Sequence, residues 1–486
     1  MSLSSAFDTA KSSLAVSQLQ TSIISRNIAN VNTVGATRKY AQVVTGQNGH
    51  VVVKSVTQSS NAVLFRNMLD ANAAVGKGNV ISNGLDRLND TLGDTELSRS
   101  PAAMVSALQD ALTTLSASPN NYELARNAVT AASDLATTLN EASDTTQSIR
   151  KDADDELVVA AADMNKILKS IEDLNRRIIV GTRSNTDVTD LSDQRDQAIA
   201  ALSQYVGVST VMRGDNDIVL YTDSGVTLFE TTARSIDFTS TPGLNASVTE
   251  GNAFRIDGVA VTGDTAYMPL KSGSVAGLVA LRDDVMVTYQ AQLDEVARGL
   301  VEAFAETRPD GTDPAAGLFT SRDTSLLPDL DSSTADTVVG LAGTLKVADV
   351  AVTNPYLLRD GGISDNAHLY NTTGVGGFTD RLNALSTAMA ATRSFSVTSS
   401  ADPSASIADY AASSASWLQA TRSASLTETE YKQTVLELTQ QTLSNETGIN
   451  MDEQLTQMIE IERSYQASSK LISTIDEMMK TLLDTI

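Results

Sequence analysis

Cysteine is absent from the 486-residue chain, which contains one tryptophan, Trp417, and two histidines, His50 and His368. Without cysteine the chain can form no disulfide, no thiolate nucleophile and no sulfur-ligated metal site. The two histidines lie far apart and belong to no H-E-x-x-H motif or nucleophile elbow, so nothing indicates a metal centre or a catalytic triad. Aromatic residues make up only 4% of the chain, which leaves little material for a ligand pocket. We therefore expect no catalytic site, no cofactor and no metal.

Positive charge is also scarce, because 35 Lys and Arg residues stand against 59 Asp and Glu residues and give a formal net charge of −24. No basic stripe is long enough to neutralise phosphates, so nucleic acid and anionic membranes are poor partners. The first 30 residues contain no basic region, apolar core or small-residue cleavage site. No apolar run approaches the roughly 18 residues of a membrane span. These absences predict a protein without a cleaved secretory signal.

What the chain does contain is a regular apolar stripe at each end, with a spacing of about 3.5 residues that is typical of coiled coils. Ordering such a helix costs about 1 to 2 kcal/mol per residue, and each apolar side chain returns about 1.5 to 3 kcal/mol only when a partner covers it. Each stripe could be an internal bundle face, but their position at the extreme ends favours a partner surface. We predict an assembly interface formed by Leu3, Phe7, Leu14, Ile24, Ile28, Met458, Ile461, Tyr465, Ile472, Ile475, Met479 and Leu482.

Between the two stripes, helical and strand-rich blocks alternate. Helical spacing covers about 61–92, 101–180, 190–205, 273–306 and 380 onward, whereas runs rich in β-formers around Asp-Gly turns occupy 206–270. This order predicts a mainly α fold with a β insertion, in which the N- and C-terminal halves build one helical bundle. The expected domains are a terminal coiled coil (1–35 and 446–486), the bundle (36–205, 271–320 and 365–445), an outer β-rich domain (206–270) and a mixed strand and loop segment (321–364).

The N-terminal stripe ends in "SRNIANVNTVGATRKY", residues 25–40, which is rich in side-chain amides. Asparagine side chains can bond free carbonyls and turn the backbone, and glycine readily adopts positive φ. We interpret the stretch as a helix terminator that sends the chain away from the first helix. Its motif residues are Asn27, Asn30, Asn32, Thr33 and Gly35.

Three other clusters have ordinary structural explanations. The acidic run at 152–156 lacks the alternating ligands and central glycine of a calcium loop, so we expect a solvated helix face. Asp190, Asp193 and Asp196 lie near a helix start, where the helix dipole favours acids, and we do not expect them to be catalytic. The glycines at 273–277 and 374–377 fit no phosphate-binding loop and are expected in turns and close packing.

Four stretches resemble the axial proteins of the bacterial flagellum, and among them the hook–filament junction family. "SRNIANVNTVGATR" is similar to the family motif N-x-x-N-x-N-T-P-G-Y, with Val34 in place of proline and Ala36 in place of tyrosine. The stretch 50–73 resembles a strand of the family and the helix that follows it. The stretch 191–208 resembles, through "LSDQRDQ", the family's helix that precedes the β insertion. The C-terminal signature is matched over 448–483 through Asp452, Glu453, Tyr465, Gln466, Ala467 and Ser468.

The resemblance implies a structural protein that polymerises with itself as a ring of about eleven subunits between hook and filament. Its terminal helices would form the inner tube, with the β domain outside. Expected partners are the hook protein, a second junction protein of the FlgL type and an export chaperone of the FlgN type on the C-terminal helix. Export would proceed unfolded through the flagellar type III apparatus to the extracellular flagellum. Alternatives are flagellin, another rod or hook protein, or a flagellar protein bearing an enzyme domain.

Overall fold

The computed structural model describes residues 3–46, 50–92, 100–322 and 339–484. Most of the described residues are helical, and the strands form small antiparallel sheets, so the predicted mainly α fold with a β insertion is confirmed. The helices are α1 (Leu3–Ala29), α2 (Ala62–Leu92), α3 (Pro101–Ala117), α4 (Tyr122–Arg183), α5 (Thr189–Tyr205), α6 (Ser274–Ala280), α7 (Met286–Ala303), α8 (Leu341–Thr344), α9 (Asp349–Thr353), α10 (Leu357–Asp360), α11 (Asp380–Ala390), α12 (Ile407–Thr447) and α13 (Met451–Asp484).

The strands pair only with near neighbours in sequence, which gives five small sheets over the described residues. Two of these sheets have three strands each and lie in the predicted β insertion, while β1 and β2 form a separate hairpin after α1. The strands are β1 (Lys39–Thr45), β2 (Val51–Gln58), β3 (Val208–Met212), β4 (Ile218–Thr222), β5 (Thr227–Phe229), β6 (Ile236–Asp237), β7 (Arg255–Ile256), β8 (Val259–Ala260), β9 (Phe319–Ser321), β10 (Leu345–Val347), β11 (Arg393–Ser394) and β12 (Ser404–Ala405).

The long helix α4 organises the bundle. Its 62 residues would extend about 93 Å at the usual rise per residue. One face is lined by leucine and isoleucine side chains that are fully buried, among them Leu139, Leu157 and Ile171. This face packs against α2, α3, α5 and α7, so segments from both halves of the chain share one apolar core. The predicted division into domains agrees with this arrangement but stays a prediction.

The predicted helical block at 101–180 is divided into two helices, α3 and α4, and each has a capped start. Pro101 opens α3, where a missing N–H costs nothing, and the Ser100 hydroxyl accepts a hydrogen bond from the Ala103 N–H at 3.2 Å. The Asn121 side chain caps α4 just after Pro119, accepting from the backbone of Glu123 and Leu124. Because both α3 and α4 have a capped start, the helical block predicted at 101–180 forms two helices instead of one.

The prediction of a solvated acidic face at 152–156 is wrong for Asp154. Asp154 is only 1% exposed, and its carboxylate accepts hydrogen bonds from the Thr241 N–H at 2.6 Å and from the Ser240 hydroxyl at 2.7 Å. It also pairs with Arg282, which lies in a π turn (Leu281–Val285) between α6 and α7. Burial alone would raise the pKa of Asp154, but the hydrogen bonds from Thr241, Ser240 and Arg282 outweigh it and lower the pKa. Asp154 therefore ties the β insertion to the bundle.

Candidate assembly interface

The two terminal helices pair with each other in antiparallel orientation. Contacts near their ends fix this direction: the Asn27 side chain meets Gln454, whereas the Ser468 hydroxyl donates to Ser13 at 3.1 Å. The apolar seam between them is therefore formed by sequence segments more than 400 residues apart, which a folded chain must bring together from opposite ends.

The residues predicted as the assembly interface lie in this pair with different exposures. Ile24 and Ile475 are buried at 5% and 6%, and Tyr465 and Met479 remain 39% and 41% exposed. The Leu482 side chain lies outside the described residues. The other predicted residues are half-buried, namely Leu3, Phe7, Leu14, Ile28, Met458, Ile461 and Ile472. Half-buried apolar side chains leave contact area for a further helix, so their role as an interface between copies stays a prediction.

Helix α13 also has exposed apolar residues beside the predicted seam. Met451, Leu455 and Ile459 are 37%, 46% and 52% exposed and recur every four residues along one flank. Leu471 and Met478, one heptad apart, are 56% and 49% exposed on another flank. These flanks lie outside the 3.5-residue stripe, so the sequence prediction did not include them. A search for a second stripe on the same helix would have found them.

Asn27 is not the helix terminator that the sequence predicted. It lies inside α1 and is 1% exposed, and its amide nitrogen donates to the Lys39 carbonyl at 2.8 Å and to Gln454 Oε1 at 2.7 Å. Its amide oxygen accepts from the Lys39 N–H at 3.1 Å. One side chain thus joins α1, the hairpin and α13, because an amide can donate and accept at once.

The other motif residues lie in the turn between α1 and β1, and their role as a terminator stays a prediction. The Asn30 side chain donates to the Arg26 carbonyl at 3.1 Å, and the Thr33 hydroxyl donates to Asn30 Oδ1 at 3.4 Å. Asn32 is exposed. Gly35 has φ of +76°, a region that side chains disfavour, so the expected positive φ is confirmed. The chain then reverses into β1.

Lys39 connects the hairpin to helix α5. Its side chain is only 2% exposed, and Nζ lies 2.6 Å from Asp193 Oδ2 and 3.0 Å from Asp190 Oδ1. Asp193 also accepts hydrogen bonds from the backbone N–H and the hydroxyl of Thr37. A buried ammonium is tolerated only when it is paired in this way. The acids at the start of α5 therefore hold the base of the hairpin.

A second set of ionic contacts lies beside Lys39. Arg26 in α1 approaches Asp187 Oδ2 at 2.8 Å and Asp190 Oδ2 at 3.5 Å. Burial alone would raise the pKa of Asp187, but hydrogen bonds from Thr189 and Arg26 outweigh it and lower the pKa. The helix α1 is thereby anchored to the bundle through the same turn that begins α5.

The junction between α12 and α13 meets the N-terminal turn at the same place. Arg38 pairs with Glu453 at 2.7 Å, and its backbone N–H donates to the Thr447 carbonyl at 2.8 Å. The Asn61 side chain donates to Glu446 Oε1 at 2.9 Å. We call this group of contacts the polar clasp: Asn27, Arg38, Lys39, Asp193, Glu453 and Gln454. It sets where the terminal helices leave the bundle.

The described residues also bear on the presence of a metal site and of a membrane span. They include no group of three or more histidine, cysteine or acidic side chains placed to hold a metal ion. His368 is 2% exposed, with Nδ1 2.8 Å from Asp365 and Nε2 2.8 Å from the Asp313 carbonyl. In the described part of the chain, no helix combines the length and apolar character that crossing a membrane requires.

Three family models match separate parts of the chain. The model described as the flagellar hook-associated protein FlgK helical domain matches residues 85–318, which include α3 to α7 and the β insertion. A model of the C-terminal part of the flagellar basal body rod proteins FlgEFG matches residues 440–485, and one of flagella basal body rod proteins matches residues 7–37. The last two cover the paired terminal helices.

Individual relatives carry the same family name. The chain is 24% identical to flagellar hook-associated protein 1 of Bacillus subtilis over 98% of this chain and 97% of that protein. It is 26% identical to the protein of that name from Escherichia coli and from Salmonella typhimurium, over 64% of this chain and 58% of each relative. A solved flagellar hook junction protein, FlgK from Burkholderia pseudomallei, is 21% identical with a TM-score of 0.43, over 53% of this chain and 46% of that one. The chain is thus similar to flagellar hook-associated proteins such as FlgK, in its helical domain and over nearly the whole length of the Bacillus subtilis relative.

Proposed function

We propose that the chain is the structural junction protein that polymerises as a ring between the hook and the filament of the flagellum. The observation that supports this most directly is the pair of terminal helices, which leaves exposed apolar flanks on α13 although the rest of the chain has a well-buried core. Such flanks on a protein of this family are expected to be covered by neighbouring subunits. The hook protein and a second junction protein of the FlgL type are the proposed neighbours above and below the ring.

Folding and assembly are coupled in this proposal. Helix α13 has 34 residues, of which few are buried within one chain, so the free energy that orders it comes largely from contacts with other copies. The chain would travel unfolded through the flagellar type III apparatus with an uncleaved N-terminal signal. A chaperone of the FlgN type would cover α13 before export and so prevent early polymerisation.

We further propose that the chain has no catalytic activity. Its relatives bear structural names, and the buried charged groups Asp154 and Lys39 form ionic pairs that join structural elements. An enzyme-bearing flagellar protein would need a set of converging catalytic groups in the 206–360 region.

A strain that lacks the gene tests the junction role. We expect hooks without filaments, while filament subunits are still made and are shed into the medium, and normal filaments when the gene is restored. A flagellin or a hook subunit would give a different result: loss of the subunit itself from the medium, or loss of the hooks. Electron microscopy and immunoblotting of the medium separate these outcomes.

A second experiment separates the assembly surface from the fold. The variant Leu455→Asp plus Ile459→Asp places charge on the exposed flank of α13, and Tyr267→Asp places it on the β insertion, where Tyr267 is 98% exposed. The first should restore no filaments in the deletion strain and the second should restore them. Hydrogen exchange on the purified monomer adds a further test, because strong protection of α1 and α13 in the absence of partners would contradict coupled folding and assembly.

A further inference from the structure

The segment around the hairpin has an unusual charge distribution. Residues 9–69 contain no aspartate or glutamate, although the chain holds 59 of them, and they carry six Lys and Arg residues. The start of α13 is acidic instead, because residues 451–462 contain four Asp and Glu residues and no Lys or Arg. Three of the six basic residues, Arg26, Arg38 and Lys39, pair with acids from other segments. The hairpin keeps an exposed cation, Lys54, and the start of α13 keeps exposed acids.

The first surface is the outer face of the hairpin, which we define by Tyr40, Val44 and Val52, together with Lys54, which is exposed in the bulge of β2 between Val53 and Ser55. Val44 lies opposite Val52 in the strand register, and Tyr40 is on the same face because side chains alternate along a strand. Tyr40, Val44 and Val52 are 47%, 40% and 41% exposed. Lys54 is exposed, and no ion-pair partner for it exists among the described residues. The surface is apolar with a cation at its edge.

The second surface is the acidic flank of α13, which we define by Met451, Asp452, Leu455, Ile459 and Glu462. At about 100° per residue, these five positions fall within one sector of roughly 100°. That sector lies next to the seam that faces α1. Asp452 and Glu462 are exposed and, within the described part of the chain, form no ion pair. The flank is apolar with anions at its edges.

Both surfaces lie beside the same part of α1, as measured along the helix axis. At the base of the hairpin, Asn27 joins Lys39 to Gln454. Near the tip, the Val51 N–H donates to Ser12 Oγ at 3.1 Å, and the neighbouring Ser13 meets Ser468. The hairpin therefore runs along the part of α1 that faces residues from about 454 to 468 of α13, and this part of α13 contains most of the acidic flank.

One chain cannot join its own two surfaces. Helix α1 contacts the hairpin through Ser12 and α13 through Ser13, and adjacent helical positions point about 100° apart. The hairpin turns its inner face to α1, so its outer face points away from the pair. A surface that is complementary to a different surface of an identical chain makes a head-to-tail contact, and a rotation of suitable size closes such contacts into a ring.

We propose that the outer face of the hairpin docks on the acidic flank of α13 of a second copy of the chain. This inference rests on the proposed function, because the second copy is the lateral neighbour in the ring. Apolar side chains supply contact area, while Lys54 lies against Glu462 and fixes the direction of the contact. The hairpin, rather than a helix, is then the element that links neighbouring subunits at the inner tube.

The absence of native cysteine allows a direct test by cross-linking. The full-length variant Val44→Cys plus Ile459→Cys is produced in the deletion strain, and flagella are isolated and treated with a short bismaleimide. We expect dimers and a ladder of larger species. The matched control is Tyr267→Cys plus Ile459→Cys, which should stay monomeric under the same treatment. Flagella that contain the first variant but give no more dimer than the control would overturn the docking while leaving the junction role intact. Absence of the chain from flagella would instead refute the proposed function.

A charge exchange tests the pairing independently. Lys54→Glu and Glu462→Lys each place like charges across the contact, so either variant alone should restore fewer filaments than the native chain. The double variant Lys54→Glu plus Glu462→Lys in one chain should recover, because it restores opposite charges across every contact between copies. If each single variant is fully active, or if the double variant is no better than either single variant, the proposed contact is wrong.

Discussion

Replacement of Asp154 by asparagine should loosen the β insertion from the bundle. The carboxylate accepts hydrogen bonds from Ser240 and from both the N–H and the hydroxyl of Thr241, and it pairs with Arg282. An asparagine retains one acceptor oxygen, but its NH₂ group must face donors. Two of the four contacts are lost, and because bonds to charged groups contribute about 1.5 to 3 kcal/mol each, the expected cost is about 3 to 5 kcal/mol.

This loss should appear locally. Hydrogen exchange followed by mass spectrometry on the full-length protein at pH 7 should show faster exchange over residues 239–252, which follow β6. A cost of 3 kcal/mol corresponds to roughly a hundredfold change in an opening equilibrium. Exchange in the apolar face of α4 should change much less, because that core does not depend on the ionic contacts.

Asp152→Asn is the matched control, since Asp152 lies two residues away on the same helix. Its side chain is 45% exposed and pairs with Arg87 at 2.6 Å on the surface, where an ion pair contributes about 0 to 1 kcal/mol. Equal exchange in the two variants would refute the conclusion that Asp154 holds the insertion in place. The native contribution should also disappear at low pH: the folded pKa of Asp154 lies below its ordinary value, so the stabilisation is present above that value and is lost as pH falls through the folded pKa.

Three further substitutions probe the clasp and the core. Asn27→Ala removes three buried hydrogen bonds at about 1 kcal/mol each, so proteases should cleave the hairpin faster in isolated flagella, whereas Asn32→Ala at an exposed position should leave cleavage unchanged. Gly35→Ala forces a side chain into positive φ, at about 1 to 2 kcal/mol, and brings its Cβ within 2.8 Å of Gln197; the same cleavage assay should show a smaller effect than for Asn27→Ala. Burial raises the pKa of Asp294 to about 7. The folded protein then binds a proton that the unfolded chain lacks between about pH 4 and 7, so stability in urea should fall as pH rises through 7, and Asp294→Asn should flatten this dependence.

The sequence predicted the helices and the β insertion well because their signals are local. The helical spacing that begins at residue 101 and the 3.5-residue stripes at both ends depend only on neighbouring residues, and helices are found at each of these places. Strand β1 was not predicted, although Asn48 and Gly49 after "KYAQVVT" are a typical hairpin signal; the strand pairs with β2 through a bulge between Gln42 and Val43. The exposed second flank of α13 was missed because one stripe was treated as the whole apolar surface.

Long-range polar contacts lay beyond any local pattern. The residues next to Asp154 in the sequence are typical of a solvated helix face. Asp154 is nevertheless buried, because Arg282, 128 positions later, packs against it and forms an ion pair. Asn27 looked like a terminator because asparagine often ends helices, yet its position inside α1 places it against Lys39 and Gln454. In both cases the partner is chosen by the fold, not by the neighbouring sequence.

The sequence by itself therefore determined the helical class, the β insertion, the apolar ends and the family resemblance, because periodicity, capping and motif spacing are properties of short segments. Only the tertiary structure decided which polar groups are buried, where the two ends of the chain meet, and which faces of the terminal pair remain uncovered. Burial is the physical reason: a carboxylate or an amide costs free energy in the core unless a partner reaches it, and that partner comes from a distant part of the chain.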